Sequence, residues 1–192
     1  MVLEEHRPTP EEILKKIRMI DPDETRVRQG RLKIFFGYAA GVGKTYAMLE
    51  MAHQMKDMGV DVVAGYIEPH VRPETLALLD GLEQLPNKEI PYKNITLREF
   101  DLDAALRRTP QLILVDELAH SNARTCRHLK RYQDVRELLD AGIDVYTTVN
   151  VRHIESLNDL VTTITGIKVH ERIPDEVFDR ADQVELVDIE PS

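Results

Sequence analysis

The sequence predicts an α/β domain in which a mostly parallel sheet carries helices on both faces. Three observations predict it. Short apolar runs alternate with helical patterns from Leu32 almost to the end of the chain. Two of those runs, Val60 to Ile67 and Leu112-Ile113-Leu114-Val115, are nearly continuous in apolar character, as strands covered on both faces must be. Finally, the glycine-rich turn Gly41-Val42-Gly43-Lys44-Thr45 joins the apolar run Leu32-Lys33-Ile34-Phe35-Phe36 to a helix. With 192 residues, a single core is the economical reading, and a domain of this size buries roughly 70% of its unfolded surface.

Taken in order, Thr9-Pro10-Glu11-Glu12 reads as a helix start, with Thr as cap, Pro in the first turn and acids against the dipole; Ile13, Ile17 and Ile20 follow at helical spacing until Pro22. The charged stretch Asp23 to Arg31 is then a tether, so residues 1–30 form an N-terminal helix and linker and 31–192 the main domain. Within that domain the pattern predicts strand 32–36, helix 44–58 closed by Gly59, strand 61–67, helix 73–82 opened by Pro73, and a strand near 89–96. A helix near 101–108, strand 111–115, helix 129–140 closed by Gly142, strand 143–149 and a helix near 153–164 come next. A short helix from Pro174 to Ala181 and a strand from Val184 to Ile189 complete the series.

A net charge of −9 and a pI near 5.3 argue against nucleic acid as a partner. The single cysteine, Cys126, rules out an internal disulfide framework and fits a reducing compartment. Glu4, Glu5 and His6 leave no room for a basic secretory n-region, and no stretch approaches ~18 uninterrupted apolar residues. The chain is therefore expected on the cytoplasmic side.

A strand that ends in a glycine-rich turn and opens a helix gathers backbone N–H groups around one small space, where the helix dipole adds positive potential. Such a space suits a phosphate: Gly41, Val42 and Gly43 supply the loop, Lys44 reaches β- and γ-phosphates, and the Thr45 hydroxyl sits on Mg²⁺. This matches the Walker A pattern except that its first glycine position is Tyr38, with Gly37 the nearest glycine. The second phosphate-site signal is the run Leu112 to Val115 ending in Asp116-Glu117, because ligands bind outside the carboxyl ends of parallel strands. Asp116 becomes a Mg²⁺-holding Walker B acid and Glu117 a candidate to polarise an attacking water. The two motifs together predict a three-layer P-loop NTPase-like (RecA-like) domain that binds a phosphate group with Mg²⁺.

Other candidates carry alternatives. Asn150 closes strand 143–149 and either senses a γ-phosphate or caps the next helix. His153 either lines the same crevice or is an ordinary satisfied residue. Arg124, Arg127 and Arg131, in the most basic stretch of the chain, are candidates for an arginine finger or phosphate clamp, against the plain alternative of an exposed loop. Glu68 follows the second strand and either faces the site or is an ordinary solvated strand-end acid. His120, Cys126 and His128 have irregular spacing for a metal site. Asp140-Ala141-Gly142-Ile143-Asp144 resembles a histidine-kinase ATP-lid box only superficially, since Gly142 is explained as a helix C-cap.

The chain resembles the N-terminal cytoplasmic domain of the KdpD family of potassium-responsive sensor histidine kinases. The carrying residues are Gly30 to Gly37 running into Gly41-Val42-Gly43-Lys44-Thr45-Tyr46-Ala47-Met48-Leu49, then Asp116-Glu117-Leu118-Ala119-His120-Ser121-Asn122. Tyr132-Gln133-Asp134-Val135, Leu138 to Thr148 and Glu155-Ser156-Leu157-Asn158-Asp159 extend the match over about Arg7 to Ile189. The family usually has small residues and a Pro where Tyr38 and Ala40 stand. The resemblance implies a regulatory ATP-binding module whose parent, in the inner or plasma membrane, controls potassium uptake through a response regulator. The parent's transmembrane helices, phosphoacceptor His and catalytic core lie outside this sequence, and a homodimer is a further candidate partner state. The alternatives are a stand-alone P-loop NTPase or small-molecule kinase, and an interaction module with a relic P-loop.

Overall fold

The computed structural model describes residues 10–11, 28–38, 41–154, 157, 164, 166 and 171–187. Among them the elements are β1 (Leu32–Gly37), α1 (Lys44–Asp57), β2 (Val62–Tyr66), α2 (Pro73–Ala77), β3 (Glu83–Gln84), β4 (Lys88–Tyr92) and β5 (Ile95–Glu99). They continue with α3 (Leu102–Arg108), β6 (Leu112–Val115), α4 (Arg131–Asp140), β7 (Asp144–Asn150), a 3₁₀ turn (Val151–His153), α5 (Asp175–Asp179) and β8 (Gln183–Leu186). Six strands form one sheet in the order β3-β2-β6-β7-β1-β8, and every pairing within it is parallel.

That order decides the fold class. The strand leading into the glycine-rich turn, β1, is separated from the strand delivering Asp116, β6, by β7, which pairs with both. All carboxyl ends therefore share one edge, and the crevice above β1, β7 and β6 is where the topology places a ligand. The domain is α/β of the P-loop NTPase-like type.

Two apolar clusters, one on each face of the sheet, explain why it has three layers. On one face Phe35, Met48, Leu49, Ala52, Val62 and Leu114 pack α1 against the strands. On the other, Ile34, Ile113 and Val145 meet Ala105 of α3 and Val135, Leu138 and Leu139 of α4. Every residue of β2 and of β6 is buried, as their unbroken apolar character predicts. Local signals agree: Asp101 accepts a bond from Ala104 N–H at 3.0 Å to start α3, and Gln133 reaches back to the Lys130 N–H at 3.1 Å to start α4.

Several elements differ from the sequence reading. The single strand near 89–96 is an antiparallel hairpin, β4 with β5, standing apart from the main sheet. Pro91 lacks the N–H that an interior strand must donate, and Lys93 takes φ 52 in the turn, so the segment folds on itself. Helix 73–82 stops after Ala77, and consecutive turns carry the chain to the edge strand β3. Helix 129–140 begins at Arg131, because Lys130 bridges to Ser121. The helix expected near 153–164 opens instead with the 3₁₀ turn, and Ile154 bridges to Ile173; most of the remainder lies outside the described residues, as does the N-terminal helix apart from Pro10 and Glu11. Gly30, at the end of the expected tether, is docked, with its N–H on Leu139 O at 2.8 Å.

These boundaries can be tested by a pair of truncations. Leu138→Ala, at a fully buried position of α4, is expected to cost about 2–5 kcal/mol in urea unfolding. Leu129→Ala, at an exposed position before the helix starts, should stay within about 0.5 kcal/mol of the parent.

Candidate nucleotide site

The turn between β1 and α1 is shaped by two glycines. Gly43 precedes α1 with φ 95, a left-handed conformation that costs a residue with a Cβ but not glycine. At Gly37 a Cβ would lie 2.6 Å from Val42 Cγ2 and 3.1 Å from Lys44 Cδ, so the loop curls back over a position that must stay bare. Gly37, one residue early, thus provides the close approach that the usual motif assigns to the next position. Tyr38 turns outward, two-thirds exposed, and does not line the cleft.

Lys44 opens α1 and is buried. Burial lowers its pKa; Asp116 opposes this, Arg152 reinforces it, and Glu117 opposes it more weakly. The next residue, Thr45, donates its hydroxyl to Asp116 Oδ2 at 3.0 Å. Asp116 is 1% exposed, and a buried carboxylate is tolerated only when its oxygens are bonded. Its remaining partners come from the two strands beside β6: Glu68 N–H at 3.1 Å, after β2, and the hydroxyl of Thr148 in β7. One carboxylate is thereby tied to the loop helix and to both neighbouring strands.

Glu117 departs from the strand at once, with φ 57, and its N–H donates to Thr148 Oγ1 at 3.0 Å. A left-handed glutamate is strained by roughly 1–3 kcal/mol, and here the Thr148 bond holds it in place. Although its side chain is open to the cleft, the surrounding protein withdraws solvent from the carboxyl, and the nearby negative charges of Glu68 and Asp116 add to this. Together they push its pKa up to about 7, against the opposing Arg131. Glu68 also hydrogen-bonds the Glu117 carboxyl, while its own Oε1 accepts from His70 N–H at 3.2 Å.

The arginine-rich stretch divides. Arg124 is exposed, and Arg127 pairs with Asp103 at 2.9 Å and with Glu137; neither lines the cleft. The segment Leu118–Lys130 folds away from it because Asn122 N–H bonds Leu129 O at 2.9 Å, closing the segment on itself. Arg131 instead lies completely buried beneath the site. Its Nη1 donates to Asp116 O at 3.0 Å, its Nη2 lies 3.4 Å from Glu99 Oε2, and its guanidinium stacks 4.0 Å over the Tyr66 ring. His120 bonds Glu99 at 3.1 Å.

Asn150 makes no capping bond to the 3₁₀ turn, and its Oδ1 is buried without a partner in the wall of the cleft. His153 shares that wall, half-buried, with its pKa lowered by burial and then by Arg152. The cleft has a volume of ≈ 770 Å³ and brings together Gly41–Thr45, Asp116, Glu117 and Asn150. Sequence reasoning undervalued Glu68, whose signal was an acid at the carboxyl end of a parallel strand, and passed over Thr148, which has no local signal.

The residues fit a metal–polyphosphate group. A left-handed glycine turn, a buried ammonium, a hydroxyl–carboxylate pair and an unpartnered amide oxygen face one cleft. The model described as the osmosensitive K⁺ channel His kinase sensor domain, KdpD, matches residues 28–192. The chain belongs to the KdpD sensor-domain family. It is 63% identical to the sensor protein KdpD of Clostridium acetobutylicum and 54% identical to that of Escherichia coli K12, over 185 residues in each case, covering 96% of this chain and 20% of each relative. The putative sensor protein KdpD of Synechocystis is 53% identical over 164 residues, covering 85% of this chain and 44% of that protein. The chain thus spans about a fifth of the length of the first two relatives. Among solved structures, that of the Legionella pneumophila ATPase DotB matches with a TM-score of 0.37 and 22% identity, covering 83% of this chain and 41% of that one. Among the described residues, no helix is long and apolar enough to cross a membrane.

Two pH effects of opposite sign follow from the site's carboxyl groups. Burial disfavours the Glu99 carboxylate, but bonds from His120 and Ala123 N–H and the charges of His120 and Arg131 outweigh it and hold its pKa below the ordinary glutamate value. Its contribution to stability is therefore present above pH ~4.5 and is lost as pH falls through the lowered pKa. Glu117 is raised, so its contribution is present below pH ~4.5 and is lost as pH rises through about 7. Urea unfolding across pH 3–8 should show Glu99→Gln flattening the acid limb and Glu117→Gln flattening the limb between pH 5 and 8.

Proposed function

We propose that this domain binds ATP with Mg²⁺ and serves as the regulatory nucleotide-binding module of a KdpD-type sensor histidine kinase that controls potassium uptake. The observation that carries the reading is the Thr45–Asp116 hydrogen bond at 3.0 Å beside the buried Lys44, because hydroxyl, carboxylate and ammonium are the three groups a metal–triphosphate needs at one point. Gly41, Val42, Gly43 and Lys44 would hold the phosphates, Thr45 and Asp116 the metal, and Asn150 would orient a water beside the terminal phosphate, its unpartnered Oδ1 accepting from that water. Mg²⁺, when bound, would supply neutralisation of the phosphate charge. On this reading the parent protein lies in the inner or plasma membrane with this domain on the cytoplasmic side, and its output passes to a response regulator; the family's description as a His kinase sensor domain supports the sensor-kinase part of it.

Calorimetric titration with ATP and with ADP in excess Mg²⁺ tests the reading, and absence of heat with both would sink it. Lys44→Ala is expected to lose about 1.5–3 kcal/mol of affinity, roughly ten- to 150-fold, since it removes a charge-assisted contact to a phosphate. Nucleotide should also raise the melting temperature of the parent and not of the variant.

A second reading, slow hydrolysis of the bound nucleotide, is favoured by Glu117: a strained carboxyl in the cleft with a pKa near neutrality suits a general base. Phosphate release by Glu117→Gln should then fall by about 10²-fold or more while nucleotide binding persists. Equal rates for the two proteins would restrict the domain to binding.

A further inference from the structure

We propose that Glu68 is a specificity-determining residue of this cleft, setting how strongly the site discriminates between a nucleoside triphosphate and a diphosphate; the inference rests on the nucleotide-binding reading above. Strand order supplies the direction. Moving across the carboxyl edge of the sheet from the glycine-rich turn, β1 is followed by β7, β6 and β2, and these deliver Asn150, Asp116 and Glu68 in that sequence. The Thr45–Asp116 pair would hold a metal that neutralises the charge of the outer phosphates. The terminal phosphate therefore belongs at the Asp116 side of the cleft, and Glu68 stands one strand beyond it.

Glu68 is held in that place at both its backbone and its side chain. The backbone N–H donates to Asp116 Oδ2 at 3.1 Å, so any change in the charge carried at Asp116 is felt one bond away. Its carboxyl is oriented by the His70 N–H at 3.2 Å, and it lines the cleft beside Glu117. Beyond Asp116 the cleft is lined by Glu68 and Glu117 together with His70 and Arg72, while Lys44 and the left-handed glycines lie on the near wall. A diphosphate needs only the near wall. A triphosphate brings further negative charge up to Glu68 and Glu117, and the carboxylate sets an electrostatic threshold that only a fully metal-compensated triphosphate passes. A solvated strand-end acid would do none of this.

The test is the ratio of affinities for Mg·ATP and Mg·ADP, measured by calorimetry at one pH and salt concentration. Glu68→Gln keeps size and hydrogen bonding while removing the charge, and should raise affinity for Mg·ATP by about fivefold with that for Mg·ADP changed less than twofold. Glu68→Asp retains the charge and should restore a ratio close to that of the parent. A general disturbance of the fold would move both affinities together and leave the ratio unaltered, so an unaltered ratio in Glu68→Gln, with both nucleotides bound, overturns the inference alone. A parent protein that binds neither nucleotide overturns the nucleotide-binding reading and this inference with it.

Discussion

The buried carboxylate of Asp116 is the constraint on which the rest of the site depends. A carboxylate 1% exposed would be costly in an apolar interior, and it persists because Thr45, Glu68 N–H and Thr148 donate to it from three separate elements. Each bond also locates its donor. The glycine-rich loop is registered against β6 through Thr45, the β2 end through Glu68, and β7 through Thr148, whose hydroxyl also anchors the strained Glu117. Removing that carboxylate would leave three donors without their common acceptor and disconnect the loop from the sheet edge.

Arg131 supports this arrangement from below. A fully buried guanidinium is tolerated because Glu99 offers an opposite charge, the Asp116 carbonyl accepts from it, and Tyr66 presents a ring face 4.0 Å away. The planar fork of arginine reaches all three groups at once, which a lysine cannot do. Glu99 closes β5 and also binds His120 and Ala123 N–H. The hairpin, the segment after Asp116 and the first turn of α4 are in this way joined through one ion pair to the carboxyl end of β6.

Legibility in the sequence followed how local each cause was. The glycine turn and the apolar runs of β2 and β6 act within a few residues, and their readings agree with the structure. The hairpin was hidden because Pro91 and the turn at Lys93 sit inside what reads as one extended run. The arginines were ambiguous for a related reason. Nothing local separates Arg127, which lies in a surface ion-pair cluster with Asp103 and Glu137, from Arg131, which lies in the core. Glu68 and Thr148 acquire their roles only from strand adjacency, which composition and periodicity do not encode.

By itself, then, the sequence determined that a glycine-rich turn opens a helix at the junction 41–45 and that an acid stands at the end of a buried strand, because glycine conformational freedom, helix-start geometry and apolar continuity are properties of short segments. Tertiary structure decided which groups share the cleft. Placing β7 between β1 and β6 set Thr148 against Asp116, brought Asn150 to the cleft with its amide oxygen unpartnered, and aligned the end of β2 beside them. It also decided that Gly37 serves where Tyr38 stands in the motif, since only the folded loop shows which position Val42 and Lys44 pack over. Contacts across more than 30 residues of chain are made by the sheet, and the sheet is a property of the whole domain.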